Sequence, residues 1–102
     1  MKIGVNMTFS SRSIDVAVIA QKAESLGFES LWLPEHPVIP VHVTTWYQGS
    51  ADGAIPPSMS DMADPFLALA RASAVTTTIK LGTGICLVPE RNPLLRKLFL
   101  EP

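Results

Sequence analysis

The chain has 102 residues, of which 47% are hydrophobic and 17% charged, with a formal net charge of -1, and this composition is typical of one globular domain. Near-neutral charge without a Lys/Arg cluster gives no reason to expect nucleic acid or a membrane as partner, and no apolar run approaches the roughly 20 residues that span a bilayer. A single cysteine, Cys86, excludes an internal disulfide, and no signal-peptide core follows Lys2, so we expect a cytoplasmic protein.

The first 33 residues have the pattern of a strand, a helix and a second strand. Residues 3–7 alternate apolar with small or polar side chains and predict the first strand, and residues 28–33 predict the second. Candidate N-caps of the intervening helix are Ser10, Ser11 and Ser13. Its predicted buried stripe is Val16, Ile19, Ala20, Ala23 and Leu26, followed by Gly27 as the C′ residue. Short connections favour a right-handed parallel βαβ unit.

From residue 34 to about residue 63 this periodicity disappears. The segment holds five prolines, two glycines and the pair Trp46-Tyr47. About thirty residues is far above the usual loop of ~4–6, which favours a lid or binding loop. Disorder is the alternative, although the aromatic pair and several branched aliphatic residues speak against it. That pair forms either a pocket wall or the loop's own small core.

The second half predicts helix, strand and helix. Asp64-Pro65 is an N-cap followed by proline at the first helical position, and Asn92-Pro93 repeats that signal. The predicted buried face of the second helix is Phe66, Leu69, Ala70 and Ala74, flanked by Leu67 and Val75. Residues 79–87 predict a third strand, and Leu94, Leu95 and Leu98 begin a third helix that ends at Pro102. The order is that of a parallel α/β fold.

Ligands of parallel α/β proteins gather at the C-terminal ends of the strands. The three predicted strand exits are residues 7–9, 34–36 and 84–86. His36 is a candidate proton donor or acceptor, because a free imidazole titrates near pH ~6.5, and a solvated loop histidine is the alternative. The glycines of Leu81-Gly-Thr-Gly-Ile85 suggest either a bulge or a ligand lying against the backbone. No recurrent ligand spacing supports a metal site.

Several motifs resemble one known family. The stretches "KIGV", "AQKAESLGFESLWLPEH" and "DPFLALARASAVTTTIKLGTGICLVPERNPLL" occur in the order found in the N-terminal part of the luciferase-like monooxygenases. Within that superfamily the chain is most similar to the branch that uses the deazaflavin coenzyme F-420. The resemblance runs from residue 2 to about residue 95.

This resemblance implies the first three βα units of a TIM (β/α)₈ barrel, with coenzyme F-420, or alternatively FMN, at the strand ends. It implies an oxidoreductase or monooxygenase that acts on a small organic substrate. The catalytic residues it implies are His36 and Glu35, and the cofactor-binding residues are Thr83, Gly84, Ile85 and Met7. It also implies a non-proline cis peptide at Gly84-Ile85.

The chain departs from that family in length, because such a barrel needs about 250 residues. We therefore expect a partial barrel domain over residues 1–102, truncated and with weak or no activity alone. The alternative is a small non-catalytic α/β module or remnant that associates through exposed strand edges. A homo-oligomer would then result.

Overall fold

The computed structural model describes residues 1–94, which form a three-stranded parallel sheet with two α-helices on one side. The elements are β1 (Gly4–Asn6), α1 (Val16–Ser25), β2 (Ser30–Leu33), α2 (Pro65–Ser73) and β3 (Lys80–Thr83), with 3₁₀ turns at Pro57–Asp61 and Val88–Glu90. The predicted order is confirmed through the third strand, and the strands are shorter than predicted. Of the predicted third helix, Pro93 and Leu94 are helical, and the remainder lies outside the described residues.

The core lies between β2 and the two helices. The strand order is β1-β2-β3, and Leu31 is in register with Val5 and Leu81 on the helix side. Leu31 is 0% exposed and Leu33 3%. The other buried apolar residues of the core are Phe9, Val16, Ala20, Ala23, Ala68, Ala72 and Ile79. Within residues 1–94, the sheet therefore has one face covered by both helices, the helix-covered face, and one face without a helix, the helix-free face.

Helix α1 begins one residue after Asp15, whose Oδ1 accepts the Ala17 N–H at 2.9 Å. The predicted serine caps are wrong, because all three precede the helix by at least three residues and lie in or next to a turn closed by Ser13 N–H to Ser10 O. Gly27 has φ +81° and follows the C-cap, as predicted. Leu26 is 62% exposed, contrary to prediction, because the helix ends before it.

Helix α2 has the predicted start, since Asp64 Oδ1 accepts the N–H groups of Phe66 and Leu67 at 2.9 and 3.1 Å. Its buried face differs from the prediction and consists of Pro65, Ala68 and Ala72. These small side chains allow α2 to pack closely against α1 and the sheet. The bulkier predicted residues Phe66 and Leu69 are therefore only half-buried.

The long connection between β2 and α2 has neither helix nor strand from residue 34 to residue 56. The connection has internal contacts, since Tyr47 N–H donates to Gly53 O at 3.0 Å. The Trp46 ring also lies against Gly53, so close that a Cβ added to this glycine would be 2.8 Å from Cζ3 of the ring. The far end of the connection returns to the β1 exit, where Ala63 N–H donates to Phe9 O at 2.8 Å. No helix within residues 1–94 is long and apolar enough to cross a membrane.

Candidate functional site at the strand exits

The three strand exits meet at one end of the sheet. Gly84 N–H donates to Leu33 O at 2.8 Å and Met7 N–H to Trp32 O at 3.1 Å, which extends both ladders beyond the strands. A Cβ placed on Gly84 would lie 4.0 Å from Pro34 Cα and 3.4 Å from the side-chain amide of Asn6. Groups from β1, β2 and β3 thus surround one point, as the parallel topology predicts.

Glu35 follows β2 and is a buried carboxylate, with its side chain 0% exposed. Its Oε2 accepts the Leu87 N–H at 2.7 Å, and its Oε1 accepts from the guanidinium of Arg91. Both partners lie in the segment after β3, more than fifty residues along the chain. Glu35 therefore fixes the β3 exit to the β2 exit.

Arg91 joins this carboxylate to helix α2. Its guanidinium donates to Asp64 at 2.9 Å and lies 4.4 Å from the centre of the Phe66 ring. Burial works to lower the pKa of Arg91, but its bonds to Asp64 and Glu35 outweigh burial and raise it above the ordinary value. Burial likewise works to raise the pKa of Asp64, and the Leu67 N–H and Arg91 lower it on balance. Arg91 and Asp64 are therefore both charged near neutral pH.

His36 has a different environment from its neighbour. Its side chain is exposed, and it borders a cavity of about 170 Å³ whose lining also includes Glu35, Met62, Asp64 and Arg91. The imidazole is thus accessible while the adjacent carboxylate is held in the interior. An accessible imidazole beside a fixed charged network is suited to exchange protons with a bound molecule.

At the β3 exit the backbone is exposed to solvent. Gly84 is exposed, Ile85 is 68% exposed and Thr83 is half-buried. The expectation of a cis peptide at Gly84-Ile85 is wrong, since every peptide bond described is trans. A non-proline cis bond costs about 3–4 kcal/mol and needs enclosing contacts, which an exposed isoleucine does not supply.

A family model described as luciferase-like monooxygenase matches residues 5–96. The chain belongs to this family. Uncharacterized proteins of Mycobacterium tuberculosis and Mycobacterium bovis are 36% identical to it over 95 residues, which is 92% of this chain and 34% of each relative. The chain thus spans about a third of the length of the curated relatives it matches. No solved structure matches it.

Not every residue that the resemblance implied lies at this family member's strand-exit site. His36 follows the end of β2, and Thr83, Gly84 and Ile85 lie at the end of the neighbouring β3, with Glu35 buried next to His36. The Met7 side chain instead packs against the core on the helix-covered face, and its role stays a prediction.

Sequence reasoning missed Arg91, the residue that pairs with both acids. No local spacing connects it to Glu35, which lies 56 positions earlier. The available signal was indirect, since a carboxylate directly after an apolar strand needs a positive partner if it is buried. Within residues 1–94, no group of three or more His, Cys, Asp or Glu side chains is placed to hold a metal ion.

Proposed function

We propose that this chain supplies the ring-binding and proton-handling part of a flavin- or deazaflavin-dependent oxidoreductase of the luciferase-like class. The observation that carries the proposal is that an exposed His36 and the open backbone at Gly84 lie at the same end of a parallel sheet. Family membership supports the same reaction class.

The proposal includes the fold of the larger domain, a (β/α)₈ barrel of which this chain forms the first units. The sheet order β1-β2-β3 supports it, with both helices packed on one face. This arrangement occurs in a barrel and also in one half of a doubly wound sheet, and the resemblance to the luciferase-like family favours the barrel. The helix-free face of the sheet would then line the barrel interior.

The residues at the β3 exit fit a flat ring. A Cβ on Gly84 would meet nothing closer than 3.4 Å, so the backbone there is open to close approach. Thr83, Gly84 and Ile85 would hold the ring, which when bound supplies hydride transfer or oxygen activation. His36 would donate or accept a proton at its exposed imidazole, and Glu35 would keep the segment after β3 in place. We propose coenzyme F-420 as the cofactor, with FMN as the alternative.

Equilibrium dialysis of the chain against coenzyme F-420 and against FMN tests the proposal. We expect saturable binding of one of them, with activity that is weak or undetectable for the chain alone. The variant His36→Ala should change the affinity or the protonation of the bound ring, which its absorption spectrum reports. His42→Ala is the matched control in the exposed loop and should change neither. Absence of binding to both compounds would contradict the proposal.

A second candidate is a non-catalytic module that self-associates, and a groove of about 630 Å³ beside β3 favours it. The apolar residues that line this groove are Trp32, Phe66, Leu69, Ala70 and Leu81. Sedimentation velocity over a range of concentrations would then show a dimer, weakened by Ala70→Lys in the groove and unaffected by Val18→Lys on exposed α1. A monomer at every concentration would exclude this candidate.

A further inference from the structure

The helix-free face of the sheet is organised around Trp32, the third residue of β2. Its side chain points away from the buried Leu31 and Leu33, and the residue remains 43% exposed. Its indole N–H donates to Ser30 Oγ at 2.9 Å, on the same face of the same strand. This hydrogen bond fixes the orientation of the ring, so the indole has a defined position although it is open to solvent.

Two glycines make room for this indole. A Cβ on Gly4 of β1 would lie 3.0 Å from Trp32 Nε1, and a Cβ on Gly82 of β3 would lie 2.8 Å from its Cζ3. The ring therefore extends across both neighbouring strands, with the pyrrole end toward β1 and the six-membered ring toward β3. Any larger residue at either position would displace the ring, so the pair of glycines defines a flat aromatic surface.

Asn6 supplies a polar group at the edge of this surface. It is in register with Trp32 and Gly82, and it points to the same face. Its amide lies 3.4 Å from the position of a Cβ on Gly84, at the β3 exit. The Asn6 side chain is exposed and makes no hydrogen bond within the part of the chain that the structure describes. An amide can donate and accept at the same time.

We propose that Trp32 and Asn6 form a binding platform for a planar heteroaromatic ring whose edge carries alternating carbonyl and N–H groups. The indole stacks against the ring, and the Asn6 amide forms hydrogen bonds with the polar edge of the ring. This inference rests on the proposed function and deepens it, since the platform lies directly before Gly84 and assigns two contacts to the ring site. It names Asn6 as the β1 contact in place of Met7, which packs on the opposite face.

The combination of groups favours this occupant over an aliphatic one. An aromatic surface supports any flat ring by stacking. An aliphatic chain in the same place would cover the Asn6 amide without giving it a hydrogen bond, which is unfavourable. A ring with carbonyl and N–H groups along its edge satisfies both features, and the edges of flavins and deazaflavins have this chemistry.

Tryptophan fluorescence reports the platform directly. The chain has two tryptophans, so Trp46→Phe leaves Trp32 as the single emitter. We expect saturable quenching of Trp32 emission when this variant is titrated with coenzyme F-420 or with FMN. In the same background, Asn6→Ala should raise Kd about two- to tenfold, the effect of one lost neutral hydrogen bond. Trp32→Leu, followed by coenzyme absorbance, should raise Kd about five- to hundredfold.

The controls separate this inference from the proposed function. Gln21→Ala removes a matched amide from exposed α1 and should leave Kd within about twofold. Binding of either coenzyme that is insensitive to Asn6→Ala or to Trp32→Leu overturns the platform and leaves the proposed function standing. The same holds if Met7→Leu weakens binding and Asn6→Ala does not. If neither coenzyme binds the unsubstituted chain, the proposed function and the platform both fail.

Discussion

Two glutamates hold the two ends of β3, and they do so in different ways. Before the strand, Glu24 of α1 accepts three backbone N–H groups, from Thr77 at 2.9 Å, Thr78 at 2.7 Å and Ile79 at 2.9 Å. After the strand, Glu35 accepts one backbone N–H and is paired with Arg91. Glu24 is partly exposed, whereas the Glu35 side chain is 0% exposed.

The difference follows from burial. A carboxylate in contact with water is stabilised sufficiently by backbone dipoles, while one removed from water also needs an opposite charge. The N-terminal end of β3 is therefore held to α1 by the hydrogen bonds of Glu24, without an opposite charge beside that carboxylate. The C-terminal end depends on an arginine from a later segment, and this arrangement leaves His36 and Gly84 exposed beside it.

The largest expected effect is that of Arg91→Met. This substitution leaves Glu35 buried without its counter-charge, so we expect it to lower the free energy of unfolding by about 3–5 kcal/mol. Urea unfolding followed by circular dichroism measures this loss. Arg12→Met, at an exposed arginine, should cost less than about 0.5 kcal/mol. Equal losses for the two variants would show that the Glu35–Arg91 pair is not a buried ion pair.

A smaller effect is expected for Glu35→Gln. The amide oxygen can still accept the Leu87 N–H, but the charge that pairs with Arg91 is lost. Removing a charge-assisted hydrogen bond should cost about 1.5–3 kcal/mol in the same unfolding assay. Glu90→Gln, at an exposed residue of the following turn, is the matched control. A Glu35→Gln protein as stable as this control would contradict the role assigned to Glu35.

The smallest effect is expected at Glu24, and it depends on pH. The N–H groups of Ile79, Thr78 and Thr77 lower the pKa of Glu24 from its ordinary value of 4.5 to about 2. Because the folded pKa is the lower one, its stabilising contribution is present above pH 4.5 and is lost as pH falls toward 2. The pKa of Asp15 is also lowered to about 2, by Arg71 first and then by the Ala17 N–H, so its protonation also destabilises the unsubstituted chain over this range.

The comparison of Glu24→Gln with Glu90→Gln isolates that contribution. The urea midpoint of Glu24→Gln should fall less between pH 6 and pH 3 than that of the control, because one of the acids whose pKa is lowered in the folded chain is gone. An identical decrease in the two variants would mean that the backbone bonds to Glu24 do not persist in solution.

Local signals in the sequence were sufficient for the element order and for two helix boundaries. Asp64-Pro65 and Gly27 act through their own and adjacent backbone, so a few residues determine their structure. The buried face of α2 could not be obtained in this way, because close packing against α1 selected Ala68 and Ala72 over larger residues.

The same distinction between local signals and contacts of distant segments applies to the site. The strand pattern predicts a parallel sheet, and parallel strands are sufficient to bring residues 34–36 and 84–86 to the same edge. The burial of Glu35 and its pairing with Arg91 depend on contacts between distant segments. The faces of Asn6 and Met7, by contrast, follow from the alternation predicted for residues 3–7, which places Met7 with Val5 and Asn6 on the other face.

We propose that a flavin-type ring binds at the C-terminal ends of the strands and not at their N-terminal ends. Backbone amide chemical shifts, recorded by NMR while coenzyme F-420 or FMN is added, test it most directly. We predict that the shifts change at His36, Gly84 and Ile85 and remain constant at residues 77–79, beside Glu24. Changes centred on residues 77–79, or spread equally over both ends, would contradict the account.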